Sequence, residues 1–544
     1  MHQPMKHTIP GWRQMPGALL ILLLALFYAV SAGADNPVEL TILHTNDTHG
    51  RLLPFSYPEL ASPGSDMAQL VQRRNIGGIA RRAALAQRIR KEQESRGGTV
   101  WLVDAGDFSD GTPFSIAYKG EADIAAMNAA GYDFATLGNH EFNYPPAHMK
   151  KLLSQAHFPI LCANAVEKMG DKTLVPAYTI RAVGPVKIAL FGLVTREARA
   201  YPAAAQGIVI LDEVQTARRM VAELSPQADI IILISHCGEK TDHAIAQAVK
   251  QIDVIVGGHS HSRLPAGKFV WHSDELKADD VNGTIIVQNH QWGGELGRLD
   301  LLFSPDAQGG WKVDRYRARL IPVTPDIRED SAVAAVVERF WRPIAEQYEM
   351  VIGKAAADFI SLDHDRAEYH LMADAIRETM AVDFVLENIG GVRAPLVRGP
   401  IARADLVAMD PFDNTIVTFS IDGARLKHLL RKAQPAVSGL RYRIQGGRLI
   451  EASCGGLPID DDRTYTGAIN SFYAKILLTK DVVRYDTGRK RLQVLIDYIR
   501  KKGTVSPVYD GRRIVSGFSL KNSPSTSQRR QKYVGQRAAV WTSS

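Results

Sequence analysis

At 544 residues the chain exceeds one compact domain, and length alone suggests about three. Its 45% hydrophobic and 23% charged residues are ordinary globular usage, so a large core is feasible. The net charge of +7 does not describe a nucleic-acid-binding face. Lys6 and Arg13 lie in residues 1–34, and Lys521, Arg529, Arg530, Lys532 and Arg537 lie in 516–544, both stretches without an acid. Removing those seven cations from the 65 leaves 58 basic against 58 acidic residues, so the body of the chain is neutral.

In chain order, residues 1–34 read as a signal peptide. Lys6 and Arg13 precede an apolar run over 18–30, and Ala32-Gly33-Ala34 has the small-x-small form of a cleavage site. The run is shorter than the roughly 20 residues a bilayer span needs, so no permanent membrane anchor is expected. No Cys follows it, which argues against a lipoprotein, and the mature chain is expected to begin at Asp35 in the periplasm or outside the cell. Export would permit disulfides, but Cys162, Cys237 and Cys454 are odd in number and far apart, and do not form a disulfide framework. One pair among them could form, and the sequence does not say which. Cys237, beside His236, reads as a small residue under the site.

Four apolar runs read as buried strands: Leu40-Thr41-Ile42-Leu43, Val100-Trp101-Leu102-Val103, residues 230–234, and Val254-Ile255-Val256. Polar groups of one chemical kind follow them in order: Asp47-Thr48-His49, Gly106-Asp107, Gly138-Asn139-His140-Glu141, His236 and Gly257-Gly258-His259-Ser260-His261. Carboxylate, amide oxygen and imidazole at the C-terminal ends of strands are the donors of a two-metal site on the loops of an open α/β sheet. Each group alone is weak; the ordered set points to metal chemistry.

Between the strands, residues 77–94 predict a helix, with Ile79, Ala83, Ala86 and Ile89 on one face. Residues 51–74, with Pro54, Pro58, Pro63 and Gly64, read as a surface loop. Alternating strands and helices continue to about residue 320. An apolar stripe of Val333, Val336, Val337, Phe340, Trp341, Ile344 and Tyr348 predicts a bridging helix over 331–349, capped by Asp330 or Ser331. Pro343 must kink it or divide it. Residues 351–515 read as mixed helix and strand with no cluster of metal-type ligands, and 516–544 as a disordered basic tail. No internal repeat is evident.

These motifs resemble a known family. The N-terminal half is similar to calcineurin-type metallophosphoesterases, and the chain to about 515 resembles the secreted 5′-nucleotidases and UDP-sugar hydrolases. In the C-terminal half the resemblance rests on Asn388-Ile389-Gly390-Gly391-Val392-Arg393, Gly399-Pro400-Ile401, Pro411-Phe412-Asp413-Asn414-Thr415, Ser438-Gly439-Leu440-Arg441-Tyr442 and Arg463-Thr464-Tyr465-Thr466. It implies an α/β protein of two domains: a metallophosphoesterase β-sandwich flanked by helices (35–325), a linker helix (326–350), and a smaller mixed α/β nucleotidase-type substrate-binding domain (351–515).

The resemblance implies Asp47, His49 and His261 on one divalent ion and Asn139, His236 and His259 on a second, with Asp107 bridging. That donor mix suits Zn, Mn, Fe or Co better than Ca or Mg. A bridging carboxylate holds two cations about 3.5–4 Å apart, where together they activate water and clamp a phosphoryl oxygen. His140 is implied as proton donor or charge stabiliser for the leaving group. The family has an acidic residue three positions after this His; here stands Asn143, an amide that orients imidazole without stabilising imidazolium, so a lowered His140 pKa is expected.

For the substrate, the resemblance implies base stacking by Phe412 and Phe472, with core packing as the alternative for each. It implies phosphate or carboxylate pairing by Arg393 and a phosphate contact by Arg366 at a helix start, with Asn388 and Asn414 bonding base or ribose. After the second aromatic the family continues into a Gly-Gly-Asp-Gly turn whose Asp holds the ribose hydroxyls. This chain has Tyr473-Ala474-Lys475-Ile476 instead, which puts recognition of a ribose diol in doubt.

The expected activity is an exported phosphoesterase acting on nucleotides or related organophosphates. Alternatives are a cyclic-nucleotide or nucleotide-sugar phosphodiesterase, a thiosulfohydrolase-like enzyme, or a binding protein that kept the fold. Metal identity, preferred base and oligomeric state are not legible.

Overall fold

The computed structural model describes residues 38–60, 70–168, 172–272, 283–306, 309–362 and 365–516; the predicted signal peptide and, apart from Ser516, the basic tail lie outside them. Two six-stranded sheets form the N-terminal half. Across the first run Trp311–Pro322, Glu295–Pro305, Val38–Thr45, Thr99–Asp104, Phe134–Thr136 and Ile160–Leu161. The last four are mutually parallel, and Glu295–Pro305 joins Val38–Thr45 antiparallel. Across the second run Lys268–Trp271, Gly283–Val287, Val254–Gly257, Ile230–His236, Val186–Val194 and Tyr178–Val183, parallel in the middle with antiparallel edges.

The sheets share one core, in which Leu40, Ile42 and Val103 from the first meet Ile188, Ile232 and Val254 from the second. Outward-facing residues are buried too. Ile79, Ala83 and Ile89 of the helix Ile79–Glu94 cover the first sheet, and Ala217, Met220 and Ile245 from helices Glu213–Leu224 and Glu239–Ala248 cover the second. Strands covered on both faces need apolar side chains at every position, which is why they read as continuous runs and not as alternation. The product is a β-sandwich flanked by helices.

Residues 51–74, expected to be a loop, instead hold the strand Phe55–Leu60 and most of its antiparallel partner Leu70–Ile76. Phe55 stacks along Tyr57, and both meet the Trp292 ring edge-on. That aromatic anchor makes strand pairing worthwhile, and Pro58 is tolerated because a two-stranded ribbon leaves one side of each strand unpaired.

The stripe over 331–349 is two helices, Ser331–Trp341 and Ala345–Glu349, divided around Pro343, which cannot donate to a helical ladder. Asp330 Oδ1 caps the first by accepting from the Val333 amide at 2.9 Å. Val333 and Val337 pack against the helices of the first sheet.

Beyond residue 351 a five-stranded sheet orders Ala436–Ser438, Phe384–Glu387, Thr464–Asn470, Thr415–Asp422 and Arg484–Lys490. Helices Ala367–Met380 and Arg491–Lys502 contribute Met372, Ile376, Leu495 and Ile499 to the core on one side of it. The three cysteines are free, and Cys162 and Cys237 are buried. Among the described residues no helix is long and apolar enough to cross a membrane.

Candidate metal centre

Five loops converge at one end of the sandwich. Asp47 and His49 follow Val38–Thr45, Asp107 follows Thr99–Asp104, Asn139 and His140 follow Phe134–Thr136, His236 ends its strand, and His259 and His261 follow Val254–Gly257. All are on the C-terminal ends of parallel strands, the edge where backbone groups leave the ladder and point into loops. Asp47, His49, Asp107, His259 and His261 each have φ between +48° and +72°, a left-handed region that costs a side-chain-bearing residue energy. Such strain in five neighbouring polar residues marks a site built for geometry over stability. Gly138 is required by crowding: a Cβ there would fall 2.1 Å from Asp107 Oδ1.

Inside this frame the donor atoms of Asp47, His49 and His261 lie within 4.8 Å of one another, and so do those of Asp107, His236 and His259. Asp107 Oδ2 is central, 3.1 Å from His236 Nε2 and 4.0 Å from His49 Nε2. Asp47 Oδ1 is 3.2 Å from His261 Nε2.

The other atom is tied down in four of these groups. His236 Nδ1 donates to Ala105 O at 2.7 Å, and His49 Nδ1 donates to Asp110 O at 3.0 Å, which leaves both Nε2 lone pairs facing inward. Asp47 Oδ2 accepts from the His259 amide at 2.9 Å and from Asn46 Nδ2 at 2.7 Å. Asn139 Nδ2 donates to Tyr201 Oη at 2.8 Å. Asp47 Oδ1, Asn139 Oδ1 and His236 Nε2 are buried and have no hydrogen-bond partner. Buried polar atoms left unpaired cost free energy, and three of them on these strand-end loops fit divalent cations.

Charge in the cluster follows from burial and crowding. Burial and the nearby Arg393 guanidinium hold His49 well below its ordinary value, so it is a neutral donor. Burial pushes the Asp47 carboxyl up, but His261 and His236 outweigh it and keep Asp47 ionised. Burial disfavours charge on His236, yet Asp107 and Asp47 push it up to about 10, the same attraction that would draw a divalent ion to Nε2 in place of the proton.

The expectation of a lowered His140 pKa is overturned. Burial lowers it, but the carboxylates of Asp107 and Asp110 together raise it above its ordinary value. Asp110 Oδ2 lies 2.6 Å from His140 Nδ1, and Asn143 Nδ2 donates to the same oxygen at 2.5 Å. The imidazole therefore has a carboxylate partner despite the amide at 143.

Asp110 was not legible as such, because nothing in its spacing to His140 marks it. Glu141 was visible in its motif but without a role. Buried, it accepts from the amides of Asp107 at 3.0 Å and Gly138 at 2.7 Å through Oε2, and from Ser109 through Oε1. It ties together the loops that carry Asp107 and His140.

The C-terminal half closes over this face. Arg393 Nη2 lies 2.9 Å from His49 Nε2, and the Phe412 ring stacks on His140 with centroids 6.4 Å apart. Phe472 is 43% exposed, so core packing does not account for it. It sits in the helix Ser471–Leu477, capped by Asn470 Oδ1, where the family has its Gly-rich turn.

Asn414 Oδ1 accepts from Ser471 Oγ at 3.1 Å and Phe472 N at 3.2 Å, and Asn388 Oδ1 accepts from Asn470 Nδ2 at 2.8 Å. Both carbonyl oxygens are thus engaged within the protein. Arg366 precedes the helix Ala367–Met380 with its guanidinium against Tyr369, whose hydroxyl bonds the Gly390 amide and Val392 carbonyl of the Arg393 loop.

Contrary to expectation, the C-terminal half does gather metal-type ligands, at Asp365, His370 and Asp510. Arg512 donates to both oxygens of Asp510 at 2.9 Å, so that carboxylate already has its cation.

The comparisons fit this geometry. Residues 40–263 match the calcineurin-like phosphoesterase family, and 351–476 match the 5′-nucleotidase C-terminal domain. The chain is a calcineurin-like phosphoesterase with a 5′-nucleotidase C-terminal domain. It is 29% identical over 532 residues to a 5′-nucleotidase of Vibrio cholerae, covering 87% of this chain and 92% of that protein.

The structure of a 5′-nucleotidase precursor from Thermus thermophilus is similar with a TM-score of 0.77 at 26% identity, over 88% of this chain and 99% of that one. The sulfate thiohydrolase SoxB of the same organism shares the fold, with a TM-score of 0.75 at 22% identity over 89% and 97% of the two chains. As a member of this family the chain is a metal-dependent phosphoesterase.

Proposed function

We propose that the protein is an exported phosphomonoesterase that releases inorganic phosphate from nucleotides or related small organophosphates. Asp47, His49 and His261 would hold one divalent ion and Asn139, His236 and His259 the other, with Asp107 shared. The observation that carries this reading is that Asp47 Oδ1 and His236 Nε2 lie buried and unpaired 3.9 Å apart beside the Asp107 carboxylate, with Asn139 Oδ1 likewise buried and unpaired. Mixed carboxylate, amide and imidazole donors favour Zn, Mn, Fe or Co. Two such ions supply an activated water and neutralise phosphoryl oxygens.

The chain's own residues do the rest. Arg393, at the rim of the cluster, pairs with the phosphate as a planar fork of donors. Phe412, beside His140, and the exposed Phe472 offer ring faces on which a base stacks, worth about 1–3 kcal/mol for any base. Arg366 supports the Arg393 loop through Tyr369. His140, with Nδ1 held, presents Nε2 to the departing oxygen and protonates it. The basic start, short apolar run and Ala32-Gly33-Ala34 support export to the periplasm or medium.

Metal analysis of the purified protein, joined to release assays on nucleoside monophosphates, cyclic nucleotides, nucleotide sugars and thiosulfonates, tests the reading. Two divalent ions per chain and phosphate release are expected, and Asp107→Ala should lose both together. Sulfate release, or phosphate release that survives Asp107→Ala, refutes it.

A further inference from the structure

We propose that Asp110 is the positioning residue for His140: it supplies from another loop the carboxylate that the family pattern places at 143. This rests on the reading above in one respect, that His140 serves the leaving group. The contacts are direct. Asp110 is 8% exposed, and its Oδ2 accepts from His140 Nδ1 at 2.6 Å. Asn143 Nδ2 is only 3.2 Å from His140 Nδ1, but both atoms are donors here, and Asn143 gives its hydrogen to Asp110 Oδ2 at 2.5 Å. The amide at 143 therefore serves the carboxylate and not the imidazole.

The backbone explains how one residue reaches the imidazole. Asp110 is left-handed, with φ +71°, a conformation Asp tolerates better than most residues. It turns the Asp110 carbonyl onto His49 Nδ1, at 3.0 Å, while the side chain goes to His140 Nδ1. His49 Nε2 and His140 Nε2 then each lie 4.0 Å from Asp107 Oδ2, so one residue fixes the tautomer of two neighbouring imidazoles, 5.2 Å apart between ring centroids, that face the central carboxylate.

In the reaction a water oxygen bonds to phosphorus as the ester P–O bond breaks, the departing oxygen takes the His140 Nε2 proton, and the proton that the water loses returns to the imidazole through solvent. The Nδ1–H stays on its bond to Asp110 throughout. The carboxylate that the family pattern places at 143 stands here at 110, held by the amide at 143.

The test uses the full, metal-loaded chain, with Asp110→Asn chosen because Asn also accepts left-handed backbone. Metal content, kcat and KM are measured on a nucleoside 5′-monophosphate and on 4-nitrophenyl phosphate, whose leaving group needs no proton. Asp110→Asn should keep its metals and lose about 10²-fold in kcat on the nucleotide, with KM changed by less than about threefold. The aryl ester should suffer about tenfold less, and the exchange D110N/N143D should regain at least about tenfold on the nucleotide. In a His140→Ala background Asp110→Asn should add less than about threefold.

A loop that had merely lost shape would slow both esters alike and gain nothing from the exchange; either result overturns the proposal. So do full activity in Asp110→Asn, loss of metal from it, or additive effects of the two substitutions. If the parent releases phosphate from neither ester, the functional reading falls. The Asp110–His140 bond is still decided by a low-field imidazole N–H proton resonance, present in the parent and lost in both His140→Ala and Asp110→Asn; its persistence in Asp110→Asn refutes the bond.

Discussion

Arg491 is fully buried and ties together the loops that lead to Arg393 and Phe412. Its guanidinium donates to Glu387 Oε2 at 2.7 Å, to Asp410 Oδ2 at 2.9 Å and to Gly391 O at 2.6 Å, with a further contact to Asp410 Oδ1. Gly391 is two residues before Arg393, and Asp410 is two before Phe412. Arg491→Met keeps the volume and removes the charge, leaving two carboxylates facing each other without a cation. Removing one partner of a buried ion pair costs about 3–5 kcal/mol.

For a unit of this size each kcal/mol lowers Tm by about 2–4 °C, so the C-terminal transition should fall by about 6–20 °C. The deficit should depend on pH. Burial already holds Glu387 above the ordinary carboxyl range, with Arg491 opposing, so the variant's Glu387 rises further. A carboxyl raised in the folded state stabilises below its unfolded value, near about 4.3, and that stability is lost as pH rises through the folded value. Calorimetry should therefore find the largest deficit at pH 8 and a smaller one near pH 5. A Tm loss under about 2 °C, or one equal at both pH values, refutes the account.

Three further outcomes are expected. Gly138→Ala puts a Cβ 2.1 Å from Asp107 Oδ1 and should displace that carboxylate, so that elemental analysis finds fewer than two ions per chain; a fully loaded protein contradicts this crowding. With a capped helix in place of the Asp-bearing turn after Phe472, matched ribo- and deoxyribonucleotides should differ by less than about tenfold in kcat/KM, or about 1.4 kcal/mol. A thousandfold ribo preference in steady-state kinetics would mean that another residue has taken over the ribose. N-terminal sequencing of the protein recovered from the periplasm or medium should begin at Asp35, and retention of Met1 there refutes cleavage.

The sequence by itself determined these strands, because Leu40-Thr41-Ile42-Leu43 and its three counterparts are buried on both faces and are apolar except where, as at Thr41, a hydroxyl finds a partner in the sheet. It determined the order of the donor residues as well, since each follows its strand directly and needs no long-range information to be placed at that strand's end. It located the break at Pro343, which acts through its own missing N–H.

Tertiary structure decided what depends on residues distant in sequence meeting in space. Phe55 pairs its strand only because Trp292 is there to receive it. Asp110 reaches His140 because the strand-end loops of Thr99–Asp104 and Phe134–Thr136 lie side by side in one sheet, 30 residues apart in the chain. Arg491 joins Glu387, Gly391 and Asp410 across intervals of up to 104 residues. Local pattern fixes which face of an element is apolar, but the partner of a buried charge is set by which loops the packed sheets bring together.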